Sequence, residues 1–134
     1  MLPCLFLELA IMSKRVLSVG QCMPDQSSIN RLIRTHFDAE VVAADLPADA
    51  LARLRSGAFD LVLINRKLDA DYSDGIEILK SIKADPQLKS VPVMLVTNYP
   101  EHHEAAVAAG GEYGFGKQEL GQPATIERLQ RFLA

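Results

Sequence analysis

The chain has 134 residues, 49% of them hydrophobic and 23% charged, and a net charge of −3. That is room for one domain around one core and not for two, in proportions ordinary for a globular protein. There is no basic surplus and no block of like charge, so binding to a phosphate backbone is not expected.

The first residues, MLPCLFLELAIM (1–12), are apolar. They are too short to span a bilayer, lack a basic leader and carry Glu8, so neither a membrane span nor a signal peptide is expected. They read as an N-terminal extension, an upstream-start artefact or a loosely attached arm, ahead of a domain over 13–134; Met12 followed by SKRV looks like a natural start. The two cysteines, Cys4 and Cys22, match no zinc or redox spacing and fit a reducing cytosol as well as any other setting; a cytoplasmic protein is expected.

RVLSVG (15–20) is predicted as the first strand. SSINRLIRTHF follows as a helix, with Ile29, Leu32, Ile33 and Phe37 on one stripe and Ser27 or Ser28 as its cap. AEVVAA (39–44) is the second strand. LPADALARLRSG is the second helix, with Pro47 in its first turn, Leu51 and Leu54 facing inward and Gly57 at its end. DLVLI (60–64) is the third strand, and SDGIEILKSIKADP the third helix, through Ile76, Leu79 and Ile82 or Lys83. VPVMLV (91–96) is the fourth strand; YPEHHEAAVAAGG, Ala-rich and closed by Gly110 and Gly111, is the fourth helix. The weaker EYGFG (112–116) is the fifth strand, and PATIERLQRFLA the last helix, burying Ile126, Leu129 and Phe132 or Leu133. VLSV, LVLI and VMLV are near-continuous apolar runs, as strands buried on both faces are.

Strand then helix, five times over, implies an α/β protein: a parallel sheet with right-handed crossovers and helices on both faces. The expected form is the flavodoxin-like (βα)5 doubly wound sheet, strand order 2-1-3-4-5, whose ligand site lies at the carboxyl ends of the strands. Gly20-Gln21-Cys22, Asn65-Arg66-Lys67, Thr97-Asn98, Tyr113–Gly116 and Lys117 are expected to meet there.

On KRVLSVG, FDLVLIN, the DG before the third helix, IKADPQLKSVPVMLVT and AVAAGGEYGFGK, in that order and spacing, residues 14–134 resemble the receiver domain of bacterial response regulators. The resemblance implies an aspartate after strand three that accepts phosphate, an acid pair after strand one that holds Mg²⁺ with it, a hydroxyl after strand four and a lysine after strand five. Those positions fall on Asn65, on Gly20 and Gln21, on Thr97 and on Lys117. All three carboxylates are therefore missing. An amide is not a carboxylate nucleophile, and Mg²⁺ lacks the hard anionic oxygens that it needs. Further departures follow. The loop RKLDADYSDG is longer than usual and lacks Pro, Gln118 stands where Pro follows the lysine, and the switch aromatic falls on Gly114. Tyr113 and Phe115, on either side, are expected on opposite faces of the strand. The chain thus resembles a pseudo-receiver, a receiver fold whose phosphorylation site has been dismantled.

Several residues carry two readings. Asn65 can order the following loop or contact a ligand. Arg66 and Lys67 can pair with Asp69, Asp71 or Asp74 in their own loop, or join Lys117 in an anion pocket. DADYSDG does not satisfy the calcium-loop spacing, since Gly75 falls one place late and Lys80 stands where Glu is needed. His102 and His103 diverge in direction on a helix, so they read as solvated side chains rather than as a metal site. Cys22 reads as an ordinary half-buried thiol. Ala105, Ala106, Ala108 and Ala109 make a smooth helix face that suits either helix propensity or close docking of a partner or a second copy, a homodimer.

The function expected from this is a stand-alone, non-enzymatic signalling module in a two-component (phosphorelay) pathway. It would act by contact with a protein partner, with no cofactor, metal, nucleic acid or membrane involved, and with output supplied by that partner. Two alternatives stand beside it: an atypical receiver phosphorylated elsewhere, and a small anion- or nucleotide-binding protein. A flavin role is disfavoured because GQCMPDQSS lacks the donors of a phosphate cradle.

Overall fold

In the computed structural model, residues 13–134 are described; the extension at 1–12, with Cys4, lies outside them. The elements are β1 (Lys14–Val19), α1 (Met23–His36), β2 (Ala39–Ala44), α2 (Pro47–Ser56), β3 (Leu61–Asn65), α3 (Gly75–Ala84), β4 (Val93–Val96), α4 (Pro100–Ala108), β5 (Glu112–Phe115), a 3-10 turn (Lys117–Glu119) and α5 (Pro123–Leu133). The strands form one parallel sheet in the order β2-β1-β3-β4-β5, as the pattern required.

Side chains alternate across a strand, so neighbouring residues enter opposite layers. Leu17, Val19, Val62, Ile64, Val93 and Leu95 pack with α2, α3 and α4 through Leu54, Leu79, Ile82 and Ala106. Val16, Leu61, Leu63, Met94, Val96 and Phe115 pack with α1 and α5 through Ile29, Ile33, Leu129 and Leu133. Two faces buried by this alternation explain why the sequence shows unbroken apolar runs.

The helix starts differ from expectation at one place. Helix α1 begins at Met23, with Cys22 at its cap and Pro24 in its first turn, so neither Ser27 nor Ser28 caps it. The apolar stripe starts only at Ile29, which made the helix look a turn shorter than it is. Ser28 Oγ instead donates to the Pro24 carbonyl within the helix (3.1 Å). Proline also opens α2, α4 and α5, with φ already set for the helix. Helix α3 is capped by Asp74, whose carboxylate accepts from Ile76 N.

In β5, Glu112 pairs with Met94 and Phe115 with Val96, so β5 carries one residue more than β4 across this step. Regular alternation would put Tyr113 and Phe115, two residues apart, on one face; the opposite placement expected for them comes from the bulge, which breaks that alternation. Phe115 is fully buried in the α1/α5 layer, whereas Tyr113 is 39% exposed at the sheet edge.

Candidate functional site

The carboxyl ends of β1, β3, β4 and β5 come together as expected; Asn65, Thr97 and Lys117 are already engaged there by neighbouring groups, and Gln21 is not. Asn65, half-buried at the end of β3, donates from Nδ2 to the Lys67 carbonyl (2.7 Å) and more distantly to the Gly20 carbonyl (3.4 Å). Its amide orders its own loop and ties it to β1. A carboxylate, which only accepts, could make neither bond.

Gly20 has φ +75°, and a Cβ there would overlap the Leu68 side chain. Leu68 is fully buried and lies in the long loop after β3. The loop is held down by Asp69 N donating to Gly20 O (2.9 Å) and Leu68 N to Ser73 O (3.0 Å). Leu68 therefore fills the space in which an acid at position 20 would begin. Gln21 is 7% exposed, and neither its amide nitrogen nor its oxygen has a protein partner among the described residues.

Thr97, 6% exposed, places Oγ1 3.0 Å from His102 Nδ1, and its carbonyl accepts from His103 Nε2 at 2.8 Å. This corrects the reading of the two histidines as solvated. The residues do diverge, but both directions lead back to Thr97, and His103 is only 2% exposed. Burial holds the His103 imidazole below its ordinary value of 6.5, against the hydrogen bond to Thr97 and the charge of Glu119, which raise it.

Lys117 Nζ lies 2.6 Å from Asp25 Oδ2, an acid in the first turn of α1 that the sequence analysis passed over. Cys22 Sγ donates to the same oxygen (3.0 Å). Burial raises the Asp25 carboxyl, but the bonds from Cys22 and Lys117 and the Lys117 charge prevail and hold it below 3.8. The next residue, Gln118, follows a trans bond and uses its N–H on Asn98 Oδ1 (3.2 Å), which proline could not do.

The three candidate anion contacts do not share a pocket. Lys117 is taken by Asp25, and Lys67 is exposed. Arg66 lines a cavity of about 80 Å³ with Asp74, Ile76, Leu95, His102 and Ala105, which neither lysine lines. The other reading, ion pairs within the loop, is not formed either. Among the described residues no carboxylate is within ion-pair distance of Arg66 or Lys67. The loop acids are used on backbone instead: Asp71 Oδ1 accepts from Ser73 N and Oγ, and Asp74 caps α3. No cluster of three metal-ligating side chains occurs among the described residues, and no described helix is long and apolar enough to cross a membrane.

The Asp25–Lys117 pair gives a pH-dependent prediction. A carboxyl held below 3.8 stabilises the fold fully above that value and loses this contribution as pH falls through its lowered value. Asp25→Asn should therefore lower the urea-unfolding free energy by roughly 0.5–1 kcal/mol at neutral pH. The gap to the parent should close in acid below 3.8; a gap of constant size would mean that the pair contributes nothing electrostatic.

Comparison with known proteins gives a consistent result. The description "Response regulator receiver domain" matches residues 23–119. The chain is 29% identical over 102 residues to chemotaxis protein CheY-3 of Vibrio cholerae serotype O1, covering 75% of this chain and 77% of that one. It is 28% identical over 118 residues to chemotaxis protein CheY of Pseudomonas aeruginosa, covering 87% and 94%. The structure of chemotaxis response regulator CheY4 of Vibrio cholerae superposes with a TM-score of 0.68 at 23% identity, covering 90% of this chain and 99% of that one, a likeness of fold. With its fold, its strand-end site and a match over most of its length, the chain belongs to the response regulator receiver domain family.

Proposed function

We propose that this receiver-like protein, over residues 13–134, is a pseudo-receiver: a signalling module that takes no phosphate at Asn65 and acts by contact with a partner protein. One observation carries the reading. Three groups of the site are committed internally, Asn65 to Lys67, Thr97 to His102 and Lys117 to Asp25. A phosphoryl group would have to displace all three bonds, with no acid pair at Gly20 and Gln21 to hold a metal against its charge. What remains for signalling is the surface. On the face made by α4, β5 and α5, Val107 of α4 is 48% exposed and Tyr113 of β5 39%, and Tyr99, the residue that precedes α4, is 58% exposed. Exposed aromatics of this kind favour protein contact.

The test is incubation with Mg²⁺ and acetyl phosphate, or beryllofluoride, followed by mass spectrometry and amide NMR. The parent and Asn65→Asp are both expected to stay unlabelled, because the substitution restores the nucleophile and not the metal site. Stoichiometric labelling of the parent, or saturable shifts at Gln21, Asn65 and Thr97 with Mg²⁺ and beryllofluoride, would defeat the reading. Labelling of Asn65→Asp alone would show that the acid pair is dispensable.

A further inference from the structure

His103 is the one buried histidine of the described chain, and the phosphorylation chemistry of the family gives it no task. It sits in α4 between the site and the α4–β5–α5 face. Nε2 lies 2.8 Å from the Thr97 carbonyl at the end of β4. A carbonyl only accepts, so the neutral ring carries its proton on Nε2. Nδ1 is then a bare lone pair, buried and without a partner among the described residues. The ring stacks on Tyr113 of β5, with centroids 4.6 Å apart and planes 28° apart. The Arg128 guanidinium of α5 lies 4.9 Å from the Tyr113 ring, and its NH1 donates to Gly114 O (3.0 Å). Thr97, His103, Tyr113 and Arg128 thus form one contiguous run from the strand-end site to the surface.

We propose that His103 is a proton-operated pin for this face: neutral, it fastens the end of β4 to Tyr113; protonated, it leaves its slot and frees the start of α4 together with Tyr113. The proton comes from solvent and adds to Nδ1. Inside the slot the new N–H has no acceptor, and a buried donor without a partner is unfavourable. The charges around the ring are mixed. Arg128 from α5 and His102 from its own helix oppose a positive ring; Glu119, from the turn after β5, and the Thr97 carbonyl of β4 favour one; Tyr113 of β5 presents its ring. Burial decides between them, so the ring keeps its neutral form while it stays in place and gains a proton by leaving. Helix α4 can yield here: its start is tied to Thr97 by the two histidine bonds and a longer one from Tyr99 N to Thr97 Oγ1 (3.3 Å), and it offers only His103 and Ala106 as buried residues. The inference deepens the reading of α4–β5–α5 as the presented face and rests on it for its biological meaning; the experiment reads the pin itself, whatever phosphate or partner does.

The test is an NMR titration of the full chain, with ring nitrogens and backbone amides followed from about pH 8 to about pH 5. The expected result is an Nε2–H ring at the start, a His103 midpoint below 6.5, and Thr97 and Tyr113 amides that move with that same midpoint. A His103 ring that titrates while those amides hold still overturns the pin. Arg128→Gln tests it without touching the core: removing a nearby positive charge should raise the His103 midpoint, and the Thr97 and Tyr113 transitions should rise with it. Amide transitions that keep the parent midpoint in that variant assign the change to another group and overturn the proposal.

Discussion

Gly20→Asp is expected to destabilise the protein by about 2–4 kcal/mol, read as a lowered urea midpoint, rather than to restore half of an acid pair. Two costs combine. A non-glycine residue held at φ +75° loses about 1–2 kcal/mol. Its Cβ also overlaps Leu68, and forcing extra atoms into a packed site costs typically about 1–3 kcal/mol. Leu68 cannot step aside cheaply, because its loop is closed by Leu68 N to Ser73 O (3.0 Å) and Tyr72 N to Leu68 O (2.9 Å). Gly20→Ala separates geometry from charge. It should show most of the same loss, since the collision begins at Cβ; a neutral Ala beside a harmful Asp would place the cause in the new carboxylate. A Gly20→Asp protein as stable as its parent would mean that the loop gives way, and that the acid site is nearer to recovery than Leu68 allows.

That prediction joins two features that look unrelated in the sequence. Gly20, where the resemblance puts one acid, and the loop RKLDADYSDG meet in space, because the loop folds Leu68 over the end of β1. The fold was legible because its signals are local: continuous apolar runs for strands buried on two faces, and helical stripes with prolines at their starts. Asn65 was legible for a similar reason, since its main bond reaches only to Lys67. The Asp25–Lys117 pair was not, since it joins the first helix to the turn after the last strand and neither neighbourhood points to the other. The histidines were visible and misread. Their spacing argued against a shared metal, but it could not show that Thr97 would offer a hydroxyl to one and a carbonyl to the other. The bulge in β5 also escaped, because a Gly between two aromatics reads the same in a regular strand and in a bulged one.

At that bulge, Gly114→Ala is expected to lower the unfolding free energy by about 2–3 kcal/mol, and Gly114→Tyr by more. A Cβ at 114 would run into the carbonyl oxygen of Leu95, and it would stand 3.2 Å from the Met94 Cβ. Leu95 lies in β4, whose partners on either side are β3 and β5, so its backbone cannot retreat. Position 114 is where the family resemblance puts the switch aromatic, a ring that can turn inward or outward. Here the two orientations belong to two residues: Phe115 is fully buried under α1 and α5, and Tyr113 lies at the surface against His103 and near Arg128. Two fixed side chains in place of one turning ring are what the proposed pseudo-receiver, with a face that does not wait on phosphate, requires. Tyr113→Leu is the matched control; being half-exposed, it should cost less than about 1 kcal/mol. Denaturant unfolding of the three variants decides the matter. If Gly114→Tyr folds with the parent's stability, the bulge is pliable, an aromatic can enter at 114, and the switch would be one substitution away instead of being built out of the strand.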